Sequence, residues 1–422
     1  MTKVFFFIIV LTLGTLGVTA QNEPDSNFNY IHQYIQSEQL QDSVKIVISL
    51  PEDYSNTNEA YPVVFILDGK WFFPQGISAQ THFSRFKITP DLIIIGIENT
   101  VKQRRWYTRN SKKFNLFLEK ELIPIVNENF RTSDERLLFG WEISGGFVFE
   151  SLGTTPHLFS GYLAASPGPL DKTFMDHFQY RYEAIEALLK SDKATNNFLF
   201  FTTGESDYPA QYGVDHMIDL LKGNELEGFD WTYVKLEEET HPTTPFKTIH
   251  QGIEAYFKYY PILRYKSIHQ YISLGGNNYL ESYYFKRKEK YNFTEEKNTK
   301  DYLNTCKNIV FKAMSEDNYE VFDMRIKEYL EKNMLGITHY NHASLFATFY
   351  LKNDNTQMAM KIMSYYIDEF PEAARPYHIL GNVYNQMGDK INAQKNYLKA
   401  VDLGVKSSDR RLSEYQNSLK EL

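Results

Sequence analysis

A short segment centred on Glu142 has the residue types and the spacing of a catalytic turn. The apolar run 137–139 is typical of a buried strand, Gly140 and Gly145 flank a tight turn, and the apolar residues that follow favour a helix. Strand, sharp turn and helix, with glycine two residues before the central residue, is a layout that presents a serine nucleophile. The central residue here is Glu142. The sequence therefore predicts a catalytic scaffold with a carboxylate at its centre.

An acid and a histidine follow this turn at the ends of two later predicted strands. The strand that ends at Thr203 leads to Asp207, with Glu205 as the alternative acid, and the last strand leads to His241. Nucleophile, acid and histidine occur in this order in hydrolases that use such a turn. A histidine in such a place is more often a surface or capping residue, but its order along the chain favours a triad position.

Strands alternate with helices over the first 260 residues. This alternation predicts an α/β domain with a mostly parallel sheet, in which functional residues lie where strands end. Helices are predicted at 116–130, where Pro124 is expected to produce a kink, and at 182–190 and 214–221. The predicted strands are 44–50, 62–69, 92–97, 137–139, 162–166, 198–202 and 231–236.

The chain changes character near Pro261, where strand-like runs stop and helical sequence begins. Small and aromatic residues then recur at a spacing of 34 residues, which is typical of tetratricopeptide (TPR) helical hairpins. An ordinary helical bundle is the alternative. A degenerate hairpin at 303–330 and a capping helix at 409–422 are also predicted. The recurring residues are Ala343, Phe346, Ala347, Tyr350, Ala359, Met363 and Tyr366, then Tyr377, Leu380, Gly381, Tyr384, Ala393, Tyr397 and Ala400.

Composition excludes several classes of function. The net charge is −8 and acids and bases are interspersed, so the chain lacks the basic footprint of a nucleic-acid-binding protein. The one cysteine, Cys306, excludes an internal disulfide framework and is interpreted as a packed apolar residue. Because His216 and His250 have no partner at metal-ligand spacing, we predict neither a metal site nor a cofactor.

The N-terminus has the pattern of a secretory signal peptide. Lys3 precedes the apolar run 4–11, and the small residues 18–20 form a cleavage site before Gln21. We therefore expect export to the periplasm or the extracellular medium, with no transmembrane span left after cleavage. The predicted organisation is a signal peptide at 1–20, an α/β domain at 21–262, a helical linker at 263–305 and TPR-like repeats at 306–422.

Three segments resemble the esterase family of the α/β-hydrolase fold, which includes esterase D and the enterochelin esterases. Residues 61–69 resemble the strand that leads to the oxyanion loop, 90–100 resemble the next strand, and 117–132 resemble the helix before the nucleophile. The resemblance covers about residues 30–260. It implies an α/β-hydrolase doubly wound sheet and an ester-like small-molecule ligand. Some exported bacterial members also carry C-terminal TPR repeats, which fits an all-α domain after the sheet.

The family pattern, glycine-x-serine-x-glycine-glycine, defines a register for the turn. Aligning Gly140 and Gly145 puts Glu142 at the serine position and Ser144 at the second glycine. A shift of two residues would make Ser144 the nucleophile, but it would put glutamate where strand and helix must pack closely. In the preferred register the resemblance implies two oxyanion-hole donors. These are the backbone N–H of Ile143 and one N–H at Gly69 or Lys70.

Glutamate at the serine position argues against ordinary ester hydrolysis. Its attack on an ester would give a mixed anhydride that readily reverses, and we expect its carboxylate to form an ion pair with His241. The leading prediction is a ligand- or partner-binding protein without standard serine-esterase activity. One alternative is an enzyme that uses Glu142 as nucleophile or base, and another is an esterase that uses Ser144 with Asp207 and His241.

Two further regions have binding predictions. The cluster Arg104–Tyr107 follows a strand that should end near the site, so it is either an anion-binding group or, more commonly for such clusters, a solvated loop. The concave face of the predicted repeats could hold a peptide of a protein partner.

Overall fold

A computed structural model describes residues 30–191, 195–209, 211–331 and 339–422. The predicted signal peptide, residues 1–20, lies outside the described residues. The chain divides into two compact units at Pro261 and Ile262, and we describe each unit by itself. The predicted linker 263–305 belongs to the second unit, where its residues contribute to helices.

The first unit contains an eight-stranded sheet with the order β1-β2-β4-β3-β5-β6-β7-β8. The β2 strand pairs in antiparallel fashion with β1 and β4, and the strands from β3 to β8 pair in parallel. The prediction of an α/β fold with a mostly parallel sheet is confirmed. The strands are β1 (Ile31–Ser37), β2 (Asp42–Ser49), β3 (Tyr61–Ile66), β4 (Ile93–Glu98), β5 (Thr132–Trp141), β6 (Gly161–Ala165), β7 (Phe198–Gly204) and β8 (Asp230–Leu236).

The described residues of the first unit form seven α-helices, which lie between and after the strands. The predicted helix at 116–130 is part of a longer one, in which a π-helical turn at 118–122 joins two α-helical segments. Pro124 lies in the first turn of the second segment, where the missing N–H costs little, so the irregularity precedes the proline. The helices are α1 (Gly69–Phe86), α2 (Ser111–Phe117), α3 (Ile123–Asn129), α4 (Ile143–Thr154), α5 (Gln179–Leu189), α6 (Val214–Lys222) and α7 (Thr244–Tyr256).

The register of the parallel strands determines which residues meet at the edge of the sheet. Ile66 pairs with Phe139, and Trp141 pairs with Ala165, so β3, β5 and β6 end close together. Every residue of β3 is buried, as expected for a strand covered by helices on both faces. The residues that directly follow these strands are therefore brought to one edge of the sheet, where open α/β sheets place their ligands.

A glycine allows the first helix to pack close to the sheet at this edge. A Cβ atom on Gly69, the first residue of α1, would lie 2.7 Å from the backbone of Gly96 in β4. A side chain at this position would require the backbone to move, so the close approach of α1 to β4 depends on glycine. The helix ends in a left-handed cap at Lys87.

The second unit is all-helical over its described residues. The predicted repeats correspond to the hairpins α12–α13 and α14–α15, and their assignment to the TPR family stays a prediction. Gly381 shows the close packing inside the second hairpin, since a Cβ atom there would lie 2.5 Å from the ring of Tyr397. The helices are α8 (Ile268–Ser273), α9 (Gly276–Tyr291), α10 (Glu295–Ser315), α11 (Tyr319–Glu331), α12 (Tyr340–Lys352), α13 (Thr356–Glu369), α14 (Ala374–Gln386), α15 (Lys390–Ser407) and α16 (Leu412–Lys420).

We also searched the helices for membrane-spanning candidates. Among the described residues, no helix combines the length and the apolar character that a bilayer crossing requires.

Candidate active site

Glu142 occupies the sharp turn between β5 and α4. Its backbone has φ 54° and ψ −116°, a conformation that residues with side chains rarely adopt. The Glu142 N–H donates to the carbonyl of Ala165 at 3.0 Å, and its carbonyl accepts from the N–H of Gly146 at 2.9 Å. A Cβ atom on Gly140 would lie only 2.4 Å from the carbonyl oxygen of Ser144, so this position requires glycine. The structure thus has the register in which Glu142 is the central residue.

Ser144 lies on the inner side of the turn and is fully buried. Its hydroxyl oxygen lies 2.8 Å from Oδ2 of Asp68. The same oxygen accepts a hydrogen bond from the backbone N–H of Trp141 at 2.9 Å. The first contact connects the turn to Asp68, which lies just after β3, and the second lies within the turn itself. A hydroxyl held in this way has no access to a substrate, so the geometry does not support Ser144 as a nucleophile.

Arg104 connects two carboxylates at the same edge of the sheet. Its Nε lies 3.2 Å from Oδ1 of Asp68, and its Nη2 lies 3.2 Å from Oε2 of Glu142. The guanidinium carbon also lies 5.4 Å from the ring centre of Trp71 and 5.8 Å from that of Trp141, within the range of cation–π attraction. Arg104 is thus held by two ion pairs and two aromatic rings.

This arrangement corrects two expectations from the sequence. The solvated loop predicted for 104–107 is wrong, because the Arg104 side chain is mostly buried and both Trp106 and Tyr107 are buried. The expected ion pair between Glu142 and His241 is also wrong, since the ion-pair partner of the Glu142 carboxylate among the described residues is Arg104. The anionic groups that Arg104 binds are side chains of the protein itself.

His241 pairs with Asp207 on the other side of the turn. The imidazole Nδ1 lies 2.5 Å from Oδ1 of Asp207. Oδ2 of the same carboxylate accepts a hydrogen bond from the hydroxyl of Ser166 at 2.7 Å. The Trp141 indole N–H donates to the His241 carbonyl at 3.0 Å, which connects the histidine loop to the turn. Glu205, the alternative acid, is exposed. The structure therefore brings together the histidine and the preferred acid.

The hydrogen bond between these two residues shifts both pKa values. Burial raises the pKa of Asp207, but the hydrogen bonds from His241, Ser166 and the backbone outweigh burial and lower it below its ordinary value. The bond to Asp207 raises the pKa of His241, burial opposes the shift, and the negative charges of Asp207 and Glu142 add to it. His241 therefore holds its proton to higher pH than a free histidine does.

Comparison with known proteins identifies the family. The model of the Esterase family, described as "Putative esterase", matches residues 37–251, which is about half of the chain. The chain belongs to this esterase family.

We describe two of the solved structures that are similar to this esterase-family chain. One is an IroE-like serine hydrolase from Shewanella oneidensis, with 25% identity and a TM-score of 0.51, covering 71% of this chain and 98% of that chain. The other is an uncharacterised protein from Capnocytophaga ochracea DSM 7271, with 17% identity and a TM-score of 0.51, covering 92% of this chain and 100% of that chain. The second likeness shows the fold alone. No match was found among the curated proteins.

The predicted oxyanion donors of this esterase-family protein lie at two helix N-termini. Ile143 is the first residue of α4, and Gly69 and Lys70 are the first residues of α1. The first N–H groups of a helix have no acceptor within it, and they favour negative charge. Because β3 and β5 are neighbours in a parallel register, both helices begin at the same edge. The role of these N–H groups stays a prediction.

The sequence indicated Arg104 as a possible anion-binding residue, but it predicted neither the pairing of Arg104 with Glu142 nor the contact of Arg104 with Asp68. Asp68 lies two residues after the end of β3 and Arg104 lies in the short helical segment after β4, so their positions after strands were the signal available. The described residues contain no group of three or more His, Cys, Asp and Glu side chains that could hold a metal ion. The site is thus built from acids, one arginine, one histidine and tryptophan rings.

Proposed function

We propose that this esterase-family protein is a pseudoenzyme that binds a small ester-like ligand and lacks standard serine-esterase activity. One observation carries the proposal: the residue at the catalytic turn is a carboxylate bound by Arg104, while Ser144 is buried against Asp68. The side chains of Glu142 and His241 remain about one-third exposed, so a ligand can reach them.

The chemistry of the two side chains explains the expected loss of activity. A serine hydroxyl attacks an ester while histidine takes its proton, and the product is an acyl-enzyme ester. Glu142 has no proton to transfer when ionised, and its attack would form a mixed anhydride that returns to the starting ester. The ion pair with Arg104 further stabilises the carboxylate and makes it a weaker nucleophile. His241 and Asp207 would thus remain without a nucleophile to activate.

Ester hydrolysis by matched variants tests this proposal. With p-nitrophenyl butyrate, we expect no turnover by the native protein, and turnover by Glu142→Ser that disappears in the double variant Glu142→Ser/His241→Gln. Native turnover that Ser144→Ala abolishes would overturn the proposal. Binding of the same ester to the native protein, followed by the fluorescence of Trp71 and Trp141, is expected to saturate.

A second candidate function is hydrolysis by water that His241 activates. The observation that favours it is the short pair between His241 and Asp207, which orients an imidazole for general-base catalysis. In this case His241→Gln and Asp207→Asn would both abolish native turnover of p-nitrophenyl butyrate, whereas Ser144→Ala would retain it. Loss of native turnover in Glu142→Gln would instead indicate that the Glu142 carboxylate acts in the reaction, as nucleophile or as base.

We further propose that the protein is exported and that its helical unit binds a protein partner. The N-terminal pattern supports export, and the recurring hairpins support partner binding. N-terminal sequencing of the protein from the periplasm or the medium is expected to begin at Gln21. An N-terminus that retains the first 20 residues in the cytoplasmic fraction would refute export.

A further inference from the structure

Helix α15 buries one face within the second unit. The residues of this face pack against α14 and α16, which precede and follow it along the chain. They recur every three to four positions, as expected for one side of a helix. The buried residues of α15 are Ala393, Tyr397, Ala400, Leu403 and Gly404.

The opposite face of α15 carries an exposed apolar stripe. Ile391, Leu398 and Val405 are exposed by 81%, 52% and 57%, although each is a large apolar residue. They are seven residues apart, so successive members are offset by only about 20° around the helix. The stripe therefore runs along the helix, on the side away from the buried residues. A stripe with this period suits another helix, because one seam of side chains can stay in contact along its length.

Lysines flank this stripe in a protein that is acidic overall. Lys395, Lys399 and Lys406 are exposed on one side of the stripe, whereas the chain as a whole has a net charge of −8. The acid on this face, Asp402, is bound by Lys406 at 2.8 Å. The exposed face of α15 is thus apolar along its centre and positively charged along one margin.

We infer that the exposed face of α15 docks an amphipathic helix of a protein partner with acidic residues beside its apolar seam. A helix of that kind buries the stripe and places carboxylates opposite the lysines. A second copy of this chain is a poorer occupant, since pairing two α15 faces would bring together lysine-rich margins. This inference rests on the proposed partner binding and assigns it to one surface.

A defined peptide tests the surface in the full-length protein. The probe is a fluorescein-labelled 21-residue helix with leucine at heptad positions and glutamate beside them, and the control peptide replaces each glutamate with lysine. We expect the acidic peptide to bind more than tenfold more tightly than the basic one, and Leu398→Glu to weaken its binding more than tenfold. Ile272→Glu is the matched control, because Ile272 is exposed by 57% on another helix and should leave binding unchanged.

Several outcomes would overturn the assignment. Equal binding of the acidic peptide by the native protein and Leu398→Glu would refute this surface, and the proposed partner binding would then need another face. Sedimentation that shows a dimer in the native protein and a monomer in Leu398→Glu would assign the stripe to self-association. The native protein could instead bind vesicles with anionic lipids and not the peptide. If Leu398→Glu then lost the vesicle binding, the stripe would be assigned to a membrane surface.

Discussion

Replacing Arg104 with methionine should destabilise the first unit strongly. The Asp68 side chain is 1% exposed and depends on Arg104 as its ion-pair partner. Removing one member of a buried ion pair costs about 3–5 kcal/mol, because the other charge remains buried without compensation. The hydroxyl of Ser144 still reaches Asp68, so we expect the lower part of this range, about 3 kcal/mol. Methionine keeps apolar contact with the neighbouring tryptophan rings.

The effect should also depend on pH in a specific direction. Burial raises the pKa of Asp68 above its ordinary value, and Arg104 and Ser144 counteract part of this rise. Without Arg104 the pKa of Asp68 rises further. A group with a raised pKa in the folded state contributes stability at low pH and loses this contribution as the pH rises through the folded value. The variant should therefore lose more stability at pH 8 than at pH 5.

Urea unfolding, followed by tryptophan fluorescence at pH 5 and pH 8, measures the unfolding free energy and so tests this prediction. The four tryptophans of the chain are Trp71, Trp106, Trp141 and Trp231, and all lie in the first unit. The signal therefore reports on that unit.

Two control variants accompany Arg104→Met. Arg105→Met removes an exposed neighbouring arginine and should hardly change the unfolding free energy. The double variant Asp68→Asn/Arg104→Met lacks the buried carboxylate, so it should regain much of the lost unfolding free energy and should no longer lose more at pH 8 than at pH 5. A loss below about 1 kcal/mol in Arg104→Met, or an equal loss at both pH values, would refute the reasoning.

The remaining predictions concern the turn and the histidine. Ser144→Ala should cost about 1–3 kcal/mol of unfolding free energy, because a buried carboxylate loses a hydrogen bond, and it should leave the turnover of Glu142→Ser intact. Gly140→Ala should lower the unfolding free energy by about 1–3 kcal/mol, because its methyl group would meet backbone atoms. The control variant Gly223→Ala should change the unfolding free energy by no more than about 0.5 kcal/mol. Equal effects of the two variants would contradict the packing argument. Glu142→Gln should lower the pKa of His241 in an NMR titration, because a nearby negative charge is removed; an unchanged pKa would show that the two residues are not coupled.

The sequence predicted most of the sheet because seven of the eight strands overlap segments with a strand-like apolar pattern. The pattern is a continuous, buried run in strands such as β3 and β7, and an alternating one in β2. The missing one, β1 (Ile31–Ser37), is an edge strand whose polar residues occur in adjacent pairs, so it has neither a continuous nor an alternating apolar pattern. Helix α1 was also missed. It contains Pro74, and its close packing depends on contact with β4, which no local pattern reveals.

The sequence could predict those site residues that directly or closely follow a strand, because the strand fixes where they lie in the fold. Glu142, Asp207 and His241 each follow a recognisable strand, and parallel strands bring such residues together. The partner of Glu142 was not predictable in the same way. Arg104 is 38 residues from Glu142, and the choice between Arg104 and His241 depends on side-chain directions in the folded unit.

The carboxylate at the turn makes ligand charge a selection criterion. Glu142 and Asp68 both contact Arg104, and Asp207 contacts His241, so each basic group of these pairs already faces a carboxyl group of the protein. An incoming carboxylate or phosphate would therefore meet repulsion and have to compete with Glu142 for Arg104, whereas a neutral or cationic molecule would not.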